Sequence, residues 1–265
     1  MGIRSFLDRL LFLIRRLPAG NTRRSLEITL RGLPQGHPVG CRAERINKIA
    51  SLLKTPKDYL EIGVQYGFTL SSVNLRNKTG VDPQLMFNPR LAQGVKLHKE
   101  TSDVFFSKLG QEVRFDVIFL DGLHTFEQTS RDFVNALRHL KPGGVIIIDD
   151  VVPSSREKAL PSREESIRRQ LQVSGAADGE WFGDVWKVPV AVHDLYPGLL
   201  DVTVLGSGVC GQAIVRQVGD ISLAQDIGIE AFTRYENLTF DDYFLPSGEI
   251  LLPNWAMGES LRRIS

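Results

Sequence analysis

From Tyr59 to Asp150, short apolar and β-branched runs alternate with segments of helical periodicity, and this alternation constrains the fold more than any other feature. The strand-like runs are Tyr59–Val64, Thr79–Asp82, Val95–His98, Phe115–Asp121 and Gly144–Asp150. Phe115–Leu120 and Val145–Ile148 are nearly unbroken apolar stretches, the composition of strands covered on both faces. Between the runs lie Phe68–Leu75, Ser102–Leu109 and His124–Leu140. In the last of these, Phe126, Phe133, Val134, Leu137 and Leu140 form one stripe, and Pro142-Gly143-Gly144 is expected to end the helix. Such alternation predicts an α/β fold, an open and mostly parallel sheet with helices on both faces.

The flanks obey other rules. Arg42 to Leu53 carries Ile46, Ile49, Leu52 and Leu53 on one face and reads as a helix closed by Thr55-Pro56. Downstream, Glu157–Val173 and Asp184–Leu195 are predicted helices, the second despite Pro189, with a loop over Ser174–Glu180. Asp201–Leu205 and Gln212–Val218 are strand candidates joined by a glycine-rich turn, which suits an antiparallel pair. The expected organisation is a helix and linker over 1–40, a domain over 41–218 and a net acidic extension over 219–265. At the N-terminus Ile3, Phe6, Leu7, Leu10, Leu13, Ile14 and Leu17 recur at helical spacing. The apolar stretch is too short for a signal peptide and no small-residue cleavage site follows. This helix is expected to pack on the domain or on a second subunit of a homo-oligomer; the alternative is peripheral contact with a membrane surface through residues 3–17.

Composition narrows the function classes. With 32 basic and 31 acidic side chains there is no whole-protein field to attract nucleic acid. Cys41 and Cys210 are the only cysteines, which excludes a disulfide framework and a cysteine-rich zinc site and fits a cytoplasmic location. No segment reaches the ~20 apolar residues of a membrane span.

The motifs sit at strand ends. Glu61-Ile62-Gly63-Val64-Gln65-Tyr66-Gly67 follows the first strand and opens a helix, with Gly63 placed for a tight turn and Gly67 for close approach of a ligand. Asp82 ends the second strand, where a carboxylate can accept both hydroxyls of a ribose. The Gly63-x-x-x-Gly67 spacing lacks the G-x-G-x-x-G phosphate cradle, and Glu61 beside it repels pyrophosphate. A nicotinamide cofactor is therefore disfavoured against a cationic, phosphate-free nucleoside.

Taken in order, Tyr59-Leu60-Glu61-Ile62-Gly63 with Gly67, Gly80-Val81-Asp82-Pro83, Phe115 to His124 and Lys141-Pro142-Gly143-Gly144-Val145 resemble class I S-adenosylmethionine-dependent methyltransferases. The nearest likeness is to the small-molecule and glycan-locus group whose fourth strand ends in Asp-Gly-x-His, here Asp121-Gly122-Leu123-His124. The resemblance runs from about Arg42 to Val218. It implies a Rossmann-like, seven-stranded sheet with an antiparallel C-terminal strand from the Gln212–Val218 hairpin. It also implies that S-adenosylmethionine lies against Glu61, Gly63, Gly67, Asp82 and Asp121, with Ser102 and Asp103 beside the adenine. The plain alternative for Ser102 and Asp103 is a helix N-cap.

Methyl transfer to oxygen needs a positioned acceptor hydroxyl and a group to remove its proton. Asp121, Asp149 and Asp150 fall at the C-terminal ends of two strands, the edge that faces the ligand crevice in open α/β sheets. A carboxylate cluster of this kind suits Mg²⁺. The arrangement resembles catechol-type and macrolide-sugar O-methyltransferases, while many relatives with Asp-Gly-x-His bind no metal. Without a metal, Asp121 would cap the helix beginning near His124. His124 stands where the macrolide-sugar enzymes carry a histidine, and its ordinary pKa of ~6.5 suits a general base. His98, His139 and His193 are expected to be structural or exposed. Trp181 is a candidate wall of the acceptor pocket, Trp186 a core residue and Asp184 an N-cap. The expected activity is O-methylation of a sugar, glycan or other small natural product. The competing expectations are a SAM-binding module without transfer activity and a nicotinamide-dependent oxidoreductase.

Overall fold

A computed structural model describes residues 38–92, 94–205, 211–220, 222, 224 and 226–243. The helix expected near 3–17 and its linker up to residue 37 lie outside them, while residues 38–40, expected in the linker, begin a helix.

The seven expected strands all form: β1 Asp58–Ile62, β2 Asn77–Val81, β3 Val95–His98, β4 Phe115–Leu120, β5 Leu140–Ile148, β6 Leu200–Leu205 and β7 Gln212–Gln217. They make one sheet in the order β3-β2-β1-β4-β5-β7-β6. The first five are parallel, and β7 runs antiparallel between β5 and β6. This is the Rossmann-like arrangement expected, with the hairpin supplying the antiparallel strand. Neighbours of β1 are β2 on one side and β4 on the other, so the strand order reverses at β1, where open sheets place their crevice.

Alternation of side chains along each strand produces two cores. Leu60, Ile62, Ile118, Leu120, Ile146 and Ile148 point to one face, where Phe133, Leu137 and Val190 cover them. Tyr59, Val117, Phe119, Val145 and Ile147 point to the other, under Ile46 and Ile49 of helix α1 (Pro38–Leu52) and Leu70 of α2 (Phe68–Ser72). Helices α3 (Ser102–Lys108) and α4 (Phe126–Arg138) start on the side-chain oxygens of Thr101 and Thr125. Ser102 and Asp103 are thus inside the first turn and not the cap, and Thr125 takes the capping place proposed for Asp121.

Three expectations need correction. Helix α4 ends at Arg138, before Pro142-Gly143-Gly144, which lies inside β5 and coincides with a shift of register between Phe115 and Val117. The stretch from Glu157 is not one helix. A 3₁₀ turn at Glu157–Ala159 stops because Leu160, preceding Pro161, is extended, and α5 (Arg163–Ser174) restarts on Ser162. Helix α6 (Lys187–Leu195) begins three residues later than expected and tolerates Pro189 in its first turn, where the missing N–H has no helical acceptor to lose. The acidic extension also has a packing role: Phe232 and Tyr235 are buried, Phe232 lying 6.2 Å from Phe133 and 6.4 Å from Tyr196 between ring centroids. No described helix is long and apolar enough to cross a membrane.

Candidate active site

A cleft of about 840 Å³ opens over the C-terminal ends of β1, β2 and β4. Its walls include Glu61, Gly63, Asp82, Ser102, Asp121 and His124, drawn from four separate stretches of chain. Of the residues expected at the cofactor, Gly67 and Asp103 do not line it.

The turn after β1 is built for this approach. Gly63 has φ +89°, and a Cβ there would run into the backbone carbonyl oxygen of Asp121. The two strand ends can therefore meet only at a glycine, and Asp121 N–H donates to Ile62 O at 2.8 Å across that contact. Gln65, a non-glycine at φ 45°, donates its N–H to Asp82 Oδ2 at 2.8 Å, while Gln84 N–H donates to Oδ1 at 2.6 Å. Asp82 thus stitches two loops together while lining the cleft.

Glu61 points to the other face of β1 and is fully buried, accepting the Tyr59 hydroxyl at 2.7 Å. Burial pushes its carboxyl up to about 8, the Tyr59 hydrogen bond opposing only part of that rise. Farther along, Gln128 of α4 donates to Ser102 Oγ at 3.2 Å, Asp103 Oδ1 at 3.2 Å and Asp132 Oδ1 at 3.1 Å. Burial raises Asp132 to about 6. Gln128 lines the cleft and was missed in the sequence, because an isolated glutamine on a helix carries no signal of its own.

The opposite end gathers His124, Asp121 and Asp150. His124 Nε2 is 3.3 Å from Asp121 Oδ1, and Nδ1 is 3.2 Å from both Asp150 Oδ2 and the Trp181 carbonyl oxygen. All three ring partners are acceptors, which favours a ring protonated on both nitrogens; in the neutral ring the two acceptors at Nδ1, against one at Nε2, favour the proton on Nδ1 and the lone pair on Nε2. Burial works to lower the imidazole, but the Asp121 hydrogen bond and the charges of Asp150 and Asp121 outweigh it and raise it to about 9. Asp150 itself sits at φ 58°, a strained position for a residue with a side chain.

Asp149 faces elsewhere. Arg42 Nε contacts its Oδ2, and Gln212 donates to its Oδ1 at 2.8 Å. The group whose ligand atoms lie within 4.8 Å of one another is Asp121, His124 and Asp150. Two carboxylates and an imidazole fit a divalent cation, though the nitrogen makes the set less suited to Mg²⁺ than three carboxylates would be. Trp181 covers the His124 ring, Trp186 is buried as expected, and Asp184 accepts Phe126 N–H at 2.7 Å, capping α4 from a distance and not its own helix. Of the remaining histidines, His139 is buried against Val113 O at 2.8 Å, His193 is exposed, and His98 lies beside Glu100.

Residues 60–151 match the sequence profile of a family described as a methyltransferase domain. No curated protein sequence matches the chain. Among solved structures, a protein assigned as an O-methyltransferase from Klebsiella pneumoniae is 21% identical, with 82% of this chain and 99% of that one covered at a TM-score of 0.49. The O-methyltransferase from Bacillus cereus, solved with SAH, is 15% identical, with coverage of 82% and 100% and a TM-score of 0.49. TomG of Streptomyces achromogenes, an O-methyltransferase of tomaymycin synthesis solved with SAM, is 15% identical, with 83% and 100% covered at 0.46.

Proposed function

We propose that this chain, which carries a methyltransferase domain across residues 60–151, is an S-adenosylmethionine-dependent O-methyltransferase acting on a hydroxyl of a small molecule, a sugar or glycan among them. The observation that carries the reading is the position of His124, held between two carboxylates on the wall of a cleft that Glu61 and Asp82 also line. The cleft fits the cofactor chemically: it presents carboxylates to a cationic, hydroxyl-rich nucleoside and no glycine cradle to a pyrophosphate. When bound, S-adenosylmethionine supplies an electrophilic methyl group.

The residues divide the remaining work. Asp82 accepts ribose hydroxyls, Glu61 and Gly63 shape the methionine and ribose end, and Ser102 and Gln128 the base end; Asp103 acts there only through its hydrogen bond from Gln128, and Gly67 only opens helix α2 behind the lining. Asp150 and the Trp181 carbonyl hold Nδ1–H, so Nε2 is the atom that takes the acceptor proton. Asp121 stabilises the imidazolium that results.

A second reading, favoured by the close grouping of Asp121, His124 and Asp150, places a divalent cation such as Mg²⁺ there. In that case His124 is a ligand and another base is required, so the two readings exclude one another at this residue. The test is SAM and SAH binding by calorimetry, followed by transfer of labelled methyl groups to a panel of hydroxyl acceptors with and without EDTA. Tight NAD binding without SAH binding would overturn the assignment; activity abolished by EDTA and restored by Mg²⁺ would select the second reading.

A further inference from the structure

The family match ends at residue 151 and starts at residue 60, yet the carboxylate pair at the end of β5 is held from outside those limits. Arg42, in the second turn of α1, lines the cleft and bridges the pair: Nε contacts Asp149 Oδ2, and a terminal nitrogen lies 3.3 Å from Asp150 Oδ1. Gln212 of β7 takes the other oxygen of Asp149 at 2.8 Å, and Arg45, one turn after Arg42, donates to Gln212 Oε1 at 3.0 Å. The Asp149 side chain has no exposure and that of Asp150 has 8%.

We propose that Arg42 is a positioning residue for the transfer site, a resident cation that aims Asp150 at His124 and occupies the carboxylates a divalent metal would have to draw upon. The inference rests on the reading of this cleft as the transfer site.

The geometry gives each oxygen of Asp150 one cationic neighbour. Oδ1 faces the guanidinium and Oδ2 faces His124 Nδ1, so the carboxylate cannot rotate without losing both. A planar fork spanning two carboxylates fixes their relative orientation in a way a point charge does not. The strained backbone at Asp150 persists only where surrounding contacts over-determine it, and Arg42 is one of those contacts. Burial raises both carboxyls, and at Asp149 the Arg42 charge is the largest influence acting against it. A cation arriving at Asp150 would meet the guanidinium at the same carboxylate, a like-charge contact that costs affinity.

The test uses the full chain and its Arg42→Met and Arg42→Lys variants, with Mn²⁺ as the metal probe followed by electron paramagnetic resonance. Nitrogen NMR of the His124 ring is recorded on the same samples. Arg42→Met is expected to bind Mn²⁺ about ten-fold more tightly than the wild type, since a neighbouring positive charge has gone. Adding Asp150→Asn should cancel that gain. The His124 ring signals should move in Arg42→Met and return part of the way in Arg42→Lys. If Arg42→Met does not fold, Arg42→Lys alone carries the test, since loss of the planar fork should still move the His124 signals. Equal Mn²⁺ affinity in the wild type and Arg42→Met overturns the proposal, as do unmoved His124 signals in a folded variant. SAH calorimetry on the wild type is a separate arm: its failure removes the transferase reading and leaves the Arg42 result legible.

Discussion

The imidazole of His124 and the indole of Trp181 lie nearly parallel, 24° between planes with centroids 5.4 Å apart, and Trp181 also places its carbonyl oxygen 3.2 Å from Nδ1. The indole is anchored in turn by its own N–H, which donates to Leu160 O at 2.7 Å. Next to it, Gly183 at φ +66° leaves room for the His124 backbone that any Cβ would obstruct. Trp181 therefore acts on His124 through its position. Trp181→Ala is expected to lower turnover by about ten-fold, because a freed ring spends less time in productive geometry. SAH affinity measured on the same variant should be unchanged; loss of both together would show that Trp181 shapes the cofactor site instead.

The charge state of His124 sets a pH dependence. A histidine whose folded pKa is raised to about 9 contributes stability that is fully present below its unfolded value and lost as pH rises through 9. Denaturant unfolding should therefore show the folded state weakening between pH 7 and pH 10, by an amount that Asp150→Asn reduces. In the free protein at pH 7 the ring carries its proton, so with metal chelated the transfer rate should climb towards pH 9. A rate flat from pH 7 to pH 9 would remove His124 as the base.

Glu61 is also held above its ordinary value, here in favour of the neutral form, and its pH dependence runs in the same direction. Its carboxyl is held up to about 8, so the folded state binds a proton that the unfolded chain has released above ~4.5. Stability from this group falls as pH rises from that lower value to about 8. Glu61→Gln imitates the protonated form and can still accept the Tyr59 hydroxyl. The variant should match the wild type near pH 5 and exceed it in melting temperature at pH 9. A melting difference independent of pH would show that Glu61 is ionised in the fold.

The proposed ribose contact of Asp82 and its observed hold on two loops are tested by one substitution. Asp82→Ala removes the acceptor of Gln65 N–H and Gln84 N–H, and hydrogen bonds to a charged group are worth about 1.5–3 kcal/mol each. If Asp82 holds the ribose as proposed, calorimetry with SAH is expected to show a loss of at least about ten-fold, from the lost ribose acceptor and the loosened loops together. Asp82→Asn keeps one carbonyl oxygen and should lose less.

The sheet was legible in the sequence because buried strands write their burial into consecutive positions, as Phe115–Leu120 and Val145–Ile148 do. Asp82, Asp121 and His124 were legible for a related reason: each closes or follows such a run, and parallel topology brings those ends to one edge. What escaped were pairings across long sequence distances. Nothing local to Arg42 or Gln212 marks them as partners of Asp149, so three adjacent strand-end carboxylates looked equivalent when Asp149 is in fact sequestered. Asp184 misled in the same manner, since its cap is spent on Phe126, 58 residues away. The packing of Phe232 and Tyr235 was hidden by the acidic composition around them.

The placement of β7 between β5 and β6 has a consequence for the order in which a nascent chain can assemble. The strands from β1 to β5 can associate once residue 148 has emerged, whereas the final slot beside β5 waits for residues 212 to 217. Until then the Asp149 carboxylate lacks the Gln212 amide that takes its Oδ1, and Arg45 lacks the amide oxygen it holds. Chains fold from their N-terminal portions first during synthesis. The crevice is thus shaped early, and the charge arrangement beside His124 is completed only when the strand over residues 212–217 is available.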